Sequence, residues 1–264
     1  MSASDLGIRR LDDVLAWTSP GGEVLAVACD SLGAIGPKPL DEVRVPAYVV
    51  GRFACRVPLM ELLAIGARPL VVVNALAVEP SPTGEEITRG VREEMVAAGL
   101  DPDLCLTGSS EKNVPTSQTG LGIVALGAFG QAGPRWGLAR EGDVVVAVGE
   151  PKVGGEVTLD DRSIADIPTL SQVLDYPGVG DVVPVGSGGI ASEARRLAGR
   201  AGLTFEADCH GDLNLEKSAG PATCVLASLP PQAVQGFLQH LLPTGRPCQP
   251  VGVLRGAYSP GVRG

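Results

Sequence analysis

The sequence predicts a two-domain protein of the α+β / α/β class, and three observations carry that expectation. Aromatic residues make up only 3% of the chain, while 36 glycines and 22 prolines cut it into short segments. The core must therefore come from Val, Leu, Ala and Ile, in strands and helices joined by tight turns. Apolar runs of strand length alternate with stretches of helical periodicity. Between them QAGPRWGLAREGD at 131–143 is polar, contains glycine and lacks any period. It marks a boundary between an N-terminal domain over 1–130 and a C-terminal α/β domain over 142–264. A chain of 264 residues can bury a substantial core in either arrangement, one domain or two.

Taken in order, residues 8–17 read as a short helix. EVLAVAC at 23–29 is a buried strand bounded by Gly22 and Asp30, so Asp30 is expected to leave a strand end. Residues 46–65 carry a helical pattern, which Pro58 should bend or divide. After GARP at 66–69, LVVVNALAV reads as a second buried strand. Ile87, Val91 and Met95 recur at steps of four and Gly99 supplies a stop, giving an amphipathic helix over 84–98. LGIVALGAF at 121–129 is a third strand. In the second half DVVVAVG, VVPV, TFEAD, TCVLASL and VGVLRG are strands. The helices there come from SGGIASEARRLAGRAG, with Ile190, Ala194, Leu197, Ala198 and Ala201 on one face, and from PQAVQGFLQHLL. No internal repeat of fixed period is present.

A net charge of -9 argues against nucleic acid and anionic membranes as partners, since both attract clustered Lys and Arg. A small ligand fits better. No apolar run reaches the roughly 18 residues of a spanning helix, and the first residues lack the apolar core of a secretory signal. A cytoplasmic protein is expected. The six cysteines are scattered with no C-x-x-C pair, so neither a zinc site nor a disulfide framework is indicated. His210, near Asp208, Cys209 and Asp212, matches no zinc spacing and reads as a strand-end loop; His240 reads as a surface residue near a helix end.

Chemistry concentrates in four segments. DSLGAIGPKPLDEVRV opens on Asp30 and offers Gly33 and Gly36 for close backbone approach, Lys38 for a phosphate and Asp41 as a second carboxylate. Such a segment suits phosphate and magnesium, and equally suits a solvated turn. Glu61, in PLMELLAIGA, has almost wholly apolar neighbours, which is costly for a carboxylate unless it is paired or metal-bound; a solvent-facing position is the alternative. TGSSEKNVPTSQTG follows a short apolar segment, and its Glu111, Lys112 and Asn113 suit a metal, a phosphate and a sugar or base; an ordinary exposed loop is the alternative. In VGSGGIASEARRLA the residues Gly186, Gly188 and Ala191 fit G-x-G-x-x-A, but Pro184 disfavours a central parallel strand, so a dinucleotide fold is a minor reading. A Gly-rich helix start that favours an anion remains.

Together these segments resemble the aminoimidazole ribonucleotide synthetase superfamily, which includes thiamine-monophosphate kinase, selenophosphate synthetase and the hydrogenase-maturation dehydratase. The resemblance rests on Asp30 after the first core strand, a helix ending in GARP, TGSSEKN before LGIVALGAF, GDVVVAVG opening the second half, and SGGI at a helix start. The chain departs from the pattern in three places. Met60 and Glu61 stand where relatives carry S-D, TGSS replaces G-G-D-T with Glu111 two residues on, and VGSGGI stands in place of D-x-S-D/G-G-L with no aspartate. DSLGAIGPK, TGSSEKNVPTSQTGLG, PVGSGGI and KSAGPATCVL are most similar to the alpha-ribazole kinase branch. The resemblance implies a homodimer formed through the N-terminal sheet domains, with ATP along the interface. It also implies a γ-phosphoryl transfer to the 5′-hydroxyl of alpha-ribazole, with Asp30 and Lys38 at the reaction centre. Magnesium ligands would be Asp30, Asp41 and Glu61, with Glu111 as a fourth. Gly33 and Gly36 would supply N–H groups to ATP, and Asn113 with Gly186, Gly188 and Gly189 would meet the nucleoside. Another ATP-dependent kinase or synthetase of the superfamily, or a non-catalytic homologue, is the alternative.

Overall fold

The structure is a computed structural model and describes residues 7–208 and 212–256; Cys209 and His210 lie outside them. The first half is a six-stranded sheet covered on one face by helices. Its strands are β1 Arg9–Leu11, β2 Val14–Thr18, β3 Val24–Gly33, β6 Ala67–Leu76, β7 Leu106–Ser110 and β8 Gly120–Phe129, in the order β1-β2-β3-β8-β6-β7. All neighbours are antiparallel except β6 and β7. Two short parallel strands, β4 Ile35–Gly36 and β5 Val43–Arg44, tie off the segment after β3.

Residues 8–17 are a hairpin, not a helix. Leu11 pairs with Val14 across the turn Asp12–Asp13, and Leu11, Val14 and Ala16 are buried. In so short a run Leu11, Val14 and Leu15 match a helical period as well as those three match strand alternation, and sheet pairing decides. Asp30 is likewise not past the end of its strand: it lies within β3, opposite Ile123 of β8. TGSS, expected to be loop, lies wholly within the edge strand β7, and the irregular part begins at Glu111.

Helix α1 Ala47–Ala64 runs undivided through Pro58. Its buried residues lie on several sides, because it packs on β3, β6 and β8, on α2 Glu85–Ala97, and on elements of the second half. Gly51 and Gly90 let α1 and α2 cross backbone to backbone: a Cβ at Gly51 would overlap the Ile87 carbonyl oxygen, and one at Gly90 the Tyr48 carbonyl oxygen. The buried carboxylate of Glu94 receives Arg52 Nε and Arg56 Nε, each at 2.7 Å, and Arg56 Nη1 reaches the Ala165 carbonyl oxygen of the second half at 3.3 Å. A short helix, α3 Pro102–Cys105, leads into β7.

The second half has five strands, β9 Val144–Val148, β10 Val182–Pro184, β11 Leu203–Ala207, β12 Val225–Leu229 and β13 Cys248–Gly256, in the order β10-β12-β9-β13-β11. Every pairing is antiparallel. Pro184 is accommodated because β10 is an edge strand. The antiparallel order excludes the parallel βαβ unit that the G-x-G-x-x-A reading requires. Helix α5 Gly189–Arg200 packs its Ile190, Ala194, Leu197 and Ala198 on one face of this sheet, with Val145, Ala147, Val183 and Leu226. The other face joins α4 Ile167–Asp175 and α6 Pro231–Leu241 in a core continuous with that beneath α1. Helix α4 was not foreseen in the sequence. Among the described residues no helix is long and apolar enough to cross a membrane.

Candidate functional site

A cleft of about 960 Å³ opens between the first sheet with α1 and the start of α5. Helix α1 lines it with Val49, Phe53, Val57 and Glu61, which recur at steps of four and so form one stripe along the helix. Three turns of that stripe are apolar and the fourth is a carboxyl. Ile35, Val43, Val45 and Val157 extend the apolar wall. Around Glu61 the cleft becomes polar, with Asp13 from the β1–β2 turn, Asp30 from β3, and Glu193 and Arg196 from α5. Gly186, Ser187 and Gly188 line it as well, where β10 passes into the N-terminus of α5, an end that favours an anion.

The acidic groups perturb one another. Burial, then the charges of Asp13 and Asp30, push the Glu61 carboxyl up to about 8, against an opposing pull from Arg196. Burial also raises Asp30 and Glu193. Glu61 Oε2 and Glu193 Oε2 are buried without a hydrogen bond, although Arg196 Nη1 stands 3.4 Å from the latter. Arg196 Nη1 is also 2.7 Å from Asp13 Oδ2.

These are hard oxygen donors, the kind magnesium takes. Among the described residues no three His, Cys, Asp or Glu side chains converge as a ready-made metal cage. The donor set therefore fits an ion that arrives with phosphate oxygens and takes one or two protein carboxylates.

The residues singled out in the sequence separate into two groups. Asp30, Glu61, Gly186 and Gly188 meet in the cleft. The others do not line it. Asp41 is buried and holds its own loop in place, accepting from the Thr119 N–H and hydroxyl and from the Lys38 N–H, each at 2.7 Å. Gly36 sits against the same Thr119, where a side chain would collide. The Lys38 ammonium is paired with Glu79. Despite burial, hydrogen bonds from Lys38 and Thr83 hold the Glu79 carboxyl down at about 2. Gly33 ends β3 opposite Gly120. Glu111 turns back on its loop, accepting from the Asn113 N–H at 2.6 Å and the Val114 N–H at 3.1 Å, and Asn113 is exposed. Gly189 has a φ of 75° and packs on the Glu216–Lys217 backbone.

Asp13, Glu193 and Arg196 were missed in the sequence. Asp13 was hidden by the helical reading of 8–17. Glu193 and Arg196 lie one helical turn apart beyond the glycines of α5, a spacing open to inspection once that helix start is taken as part of a site.

Residues 11–132 match the family described as AIR synthase related protein, N-terminal domain. No curated protein matches the chain in sequence. Among solved structures, E. coli HypE, a hydrogenase maturation protein, aligns over 100% of this chain and 87% of its own at 16% identity, with a TM-score of 0.67. Thiamine-monophosphate kinase from Stenotrophomonas maltophilia K279a aligns over 96% and 90% at 17% identity, TM-score 0.62. A hydrogenase maturation protein HypE in complex with ATP aligns over 94% and 79% at 15% identity, TM-score 0.64. The segment 11–132 thus matches the AIR synthase related N-terminal domain family, and the chain as a whole takes the fold that these solved structures share.

Proposed function

We propose that this protein is an ATP- and magnesium-dependent kinase that phosphorylates the 5′-hydroxyl of a small nucleoside, alpha-ribazole. One observation carries the reading: the cleft joins an apolar stripe, Val49, Phe53 and Val57, to an acidic end beneath a helix N-terminus. A nucleoside divides in the same way, with a flat base of low polarity at one end and a hydroxylated sugar at the other. In this reading the base lies along the apolar stripe and the 5′-hydroxyl points toward Asp30 and Glu61. The nucleotide is ATP, as in the HypE complex of the same fold.

Transition states of phosphoryl transfer are loose, so the protein must align the hydroxyl with phosphorus and offset charge. Magnesium bound with ATP supplies the charge neutralisation. Asp30 and Glu61 would be its ligands from this chain, and the Gly186–Gly188 turn at the start of α5 would meet the phosphate oxygens. The apolar walls exclude water from the transfer. Two copies pair through the sheet face turned away from α1, where Leu25, Val27, Val71, Val73, Val124 and Leu126 are incompletely buried in the single chain.

The test is direct. Purified protein is incubated with ATP, magnesium and alpha-ribazole, and ADP and the nucleoside monophosphate are followed, with thiamine monophosphate as the competing acceptor. Absence of ADP formation dependent on alpha-ribazole would refute the reading. Asp30→Asn should lower the rate by about two orders of magnitude or more, and an unchanged rate would remove Asp30 from the ligand set.

A further inference from the structure

At the acidic end of the cleft one guanidinium pairs with two carboxyl groups, those of Asp13 and Glu193, and shares that end with two more, Glu61 and Asp30. Arg196 Nη1 is 2.7 Å from Asp13 Oδ2 and 3.4 Å from Glu193 Oε2. It also opposes the combined effect of burial, Asp13 and Asp30 on the carboxyl of Glu61. Glu193 is 6% exposed and its Oε2 makes no hydrogen bond, so the arginine is the nearest charge that compensates it. The Arg196 side chain is itself 40% exposed. It is therefore anchored by ion pairs but not sealed in, with room to swing toward solvent. The neighbouring Arg200 differs on every count, being 4% exposed and pinned by Asp12 and Asp181.

We propose that Arg196 is a built-in counter-ion of the acidic end, occupying electrostatically the place of a divalent cation and yielding to one that enters. This rests on the reading of the cleft's acidic end as the cation-holding part of the site. The reasoning is Coulombic. Carboxyls gathered in a partly dehydrated pocket repel one another unless a cation is shared among them. Without metal, Arg196 is that cation. A divalent ion at the same carboxyls would face the guanidinium at short range, so it binds only as Arg196 leaves, and free metal is held weakly for that reason. The displaced guanidinium has phosphate oxygens as its natural new partner, which would favour metal that arrives already bound to nucleotide.

The experiment measures binding of Mn²⁺ alone to the full-length protein, without nucleotide, from the electron paramagnetic resonance signal of the free ion. Arg196→Gln should bind Mn²⁺ about tenfold or more tightly than the unmodified protein, and Arg196→Lys, which keeps the charge, should stay close to it. A merely structural arginine would weaken binding in both variants. Equal or weaker binding by Arg196→Gln, or no Mn²⁺ binding by either variant or by the unmodified protein, would overturn the proposal. Because no nucleotide or acceptor is present, the two ideas fail separately. Tighter Mn²⁺ binding in a protein with no kinase activity would sink the kinase reading alone, and unchanged Mn²⁺ binding in an active kinase would sink the counter-ion alone.

Discussion

Replacing Glu61 with Gln should stabilise the protein at alkaline pH and leave it nearly unchanged in mild acid. The Glu61 carboxyl rises from its ordinary 4.5 to about 8 in the fold. Between those two values the folded chain holds a proton that the unfolded chain has released. Stability therefore falls as pH rises through that window, and the penalty is complete once pH exceeds the folded value. Gln mimics the neutral carboxyl in shape and has no proton to lose. At about 1.4 kcal/mol per pH unit, the full rise corresponds to at most about 5 kcal/mol. Glu61 is only partly buried, so solvent screening reduces this, and a gain of about 1–3 kcal/mol is expected at pH 9. The assay is urea unfolding in the presence of a chelator at pH 5 and pH 9. The raised carboxyls of Asp30 and Glu193 titrate in both proteins and largely cancel in the difference. A difference in stability that is the same at both pH values would show that Glu61 ionises freely, and would refute the account of the acidic end.

Two substitutions away from the cleft test the fold. Asp41→Ala removes an acceptor that serves three donors and should lower unfolding free energy by about 2–4 kcal/mol, while Mn²⁺ affinity measured on the folded protein should be unchanged; a selective loss of metal binding would return Asp41 to the ligand set. Gly51→Ala places a methyl group against the Ile87 carbonyl and should cost about 1–3 kcal/mol, read from the midpoint of thermal or urea unfolding.

The fold was legible where periodicity was long. LVVVNALAV, LGIVALGAF and the helix 84–98 each present enough residues for one period to exclude the other, and each forms close to its expected place. The hairpin at 9–18 was not, because a two-residue turn resets the phase of the alternation and leaves a pattern that a helix also satisfies. The site was legible in part for a related reason. Asp30, Lys38 and Asp41 look like partners because they share a loop in sequence, yet β3 carries Asp30 into the sheet while Asp41 turns in toward Thr119. Glu61 stood out by its apolar neighbours, a signal that survives folding because burial is what perturbs it. Its actual companions, Asp13 and Glu193, come from the first hairpin and from α5, and proximity of that kind is set by how the two halves pack.

That packing shows in two neighbouring ion pairs between the first hairpin and α5, which should respond unequally to removal. Asp12 receives Arg200 Nε at 2.9 Å, and the Arg200 guanidinium lies 4.3 Å from the Trp136 ring centre, with its side chain 4% exposed. Asp13 and Arg196 are 60% and 40% exposed. Removing charge from the first pair leaves a buried guanidinium with the more distant Asp181 as its remaining carboxylate partner and the Val182 carbonyl oxygen as a neutral acceptor, whereas exposed pairs contribute little. Asp12→Asn keeps a residue that tolerates the φ of 53° at this turn and should cost about 1–3 kcal/mol, with a change in Trp fluorescence. Asp13→Asn should cost under about 1 kcal/mol and instead lower Mn²⁺ affinity, since it takes a carboxyl from the acidic end. Equal effects of the two substitutions on stability would mean that the hairpin serves only as a brace for α5. The assignment of Asp13 to the cleft's chemistry would then fail.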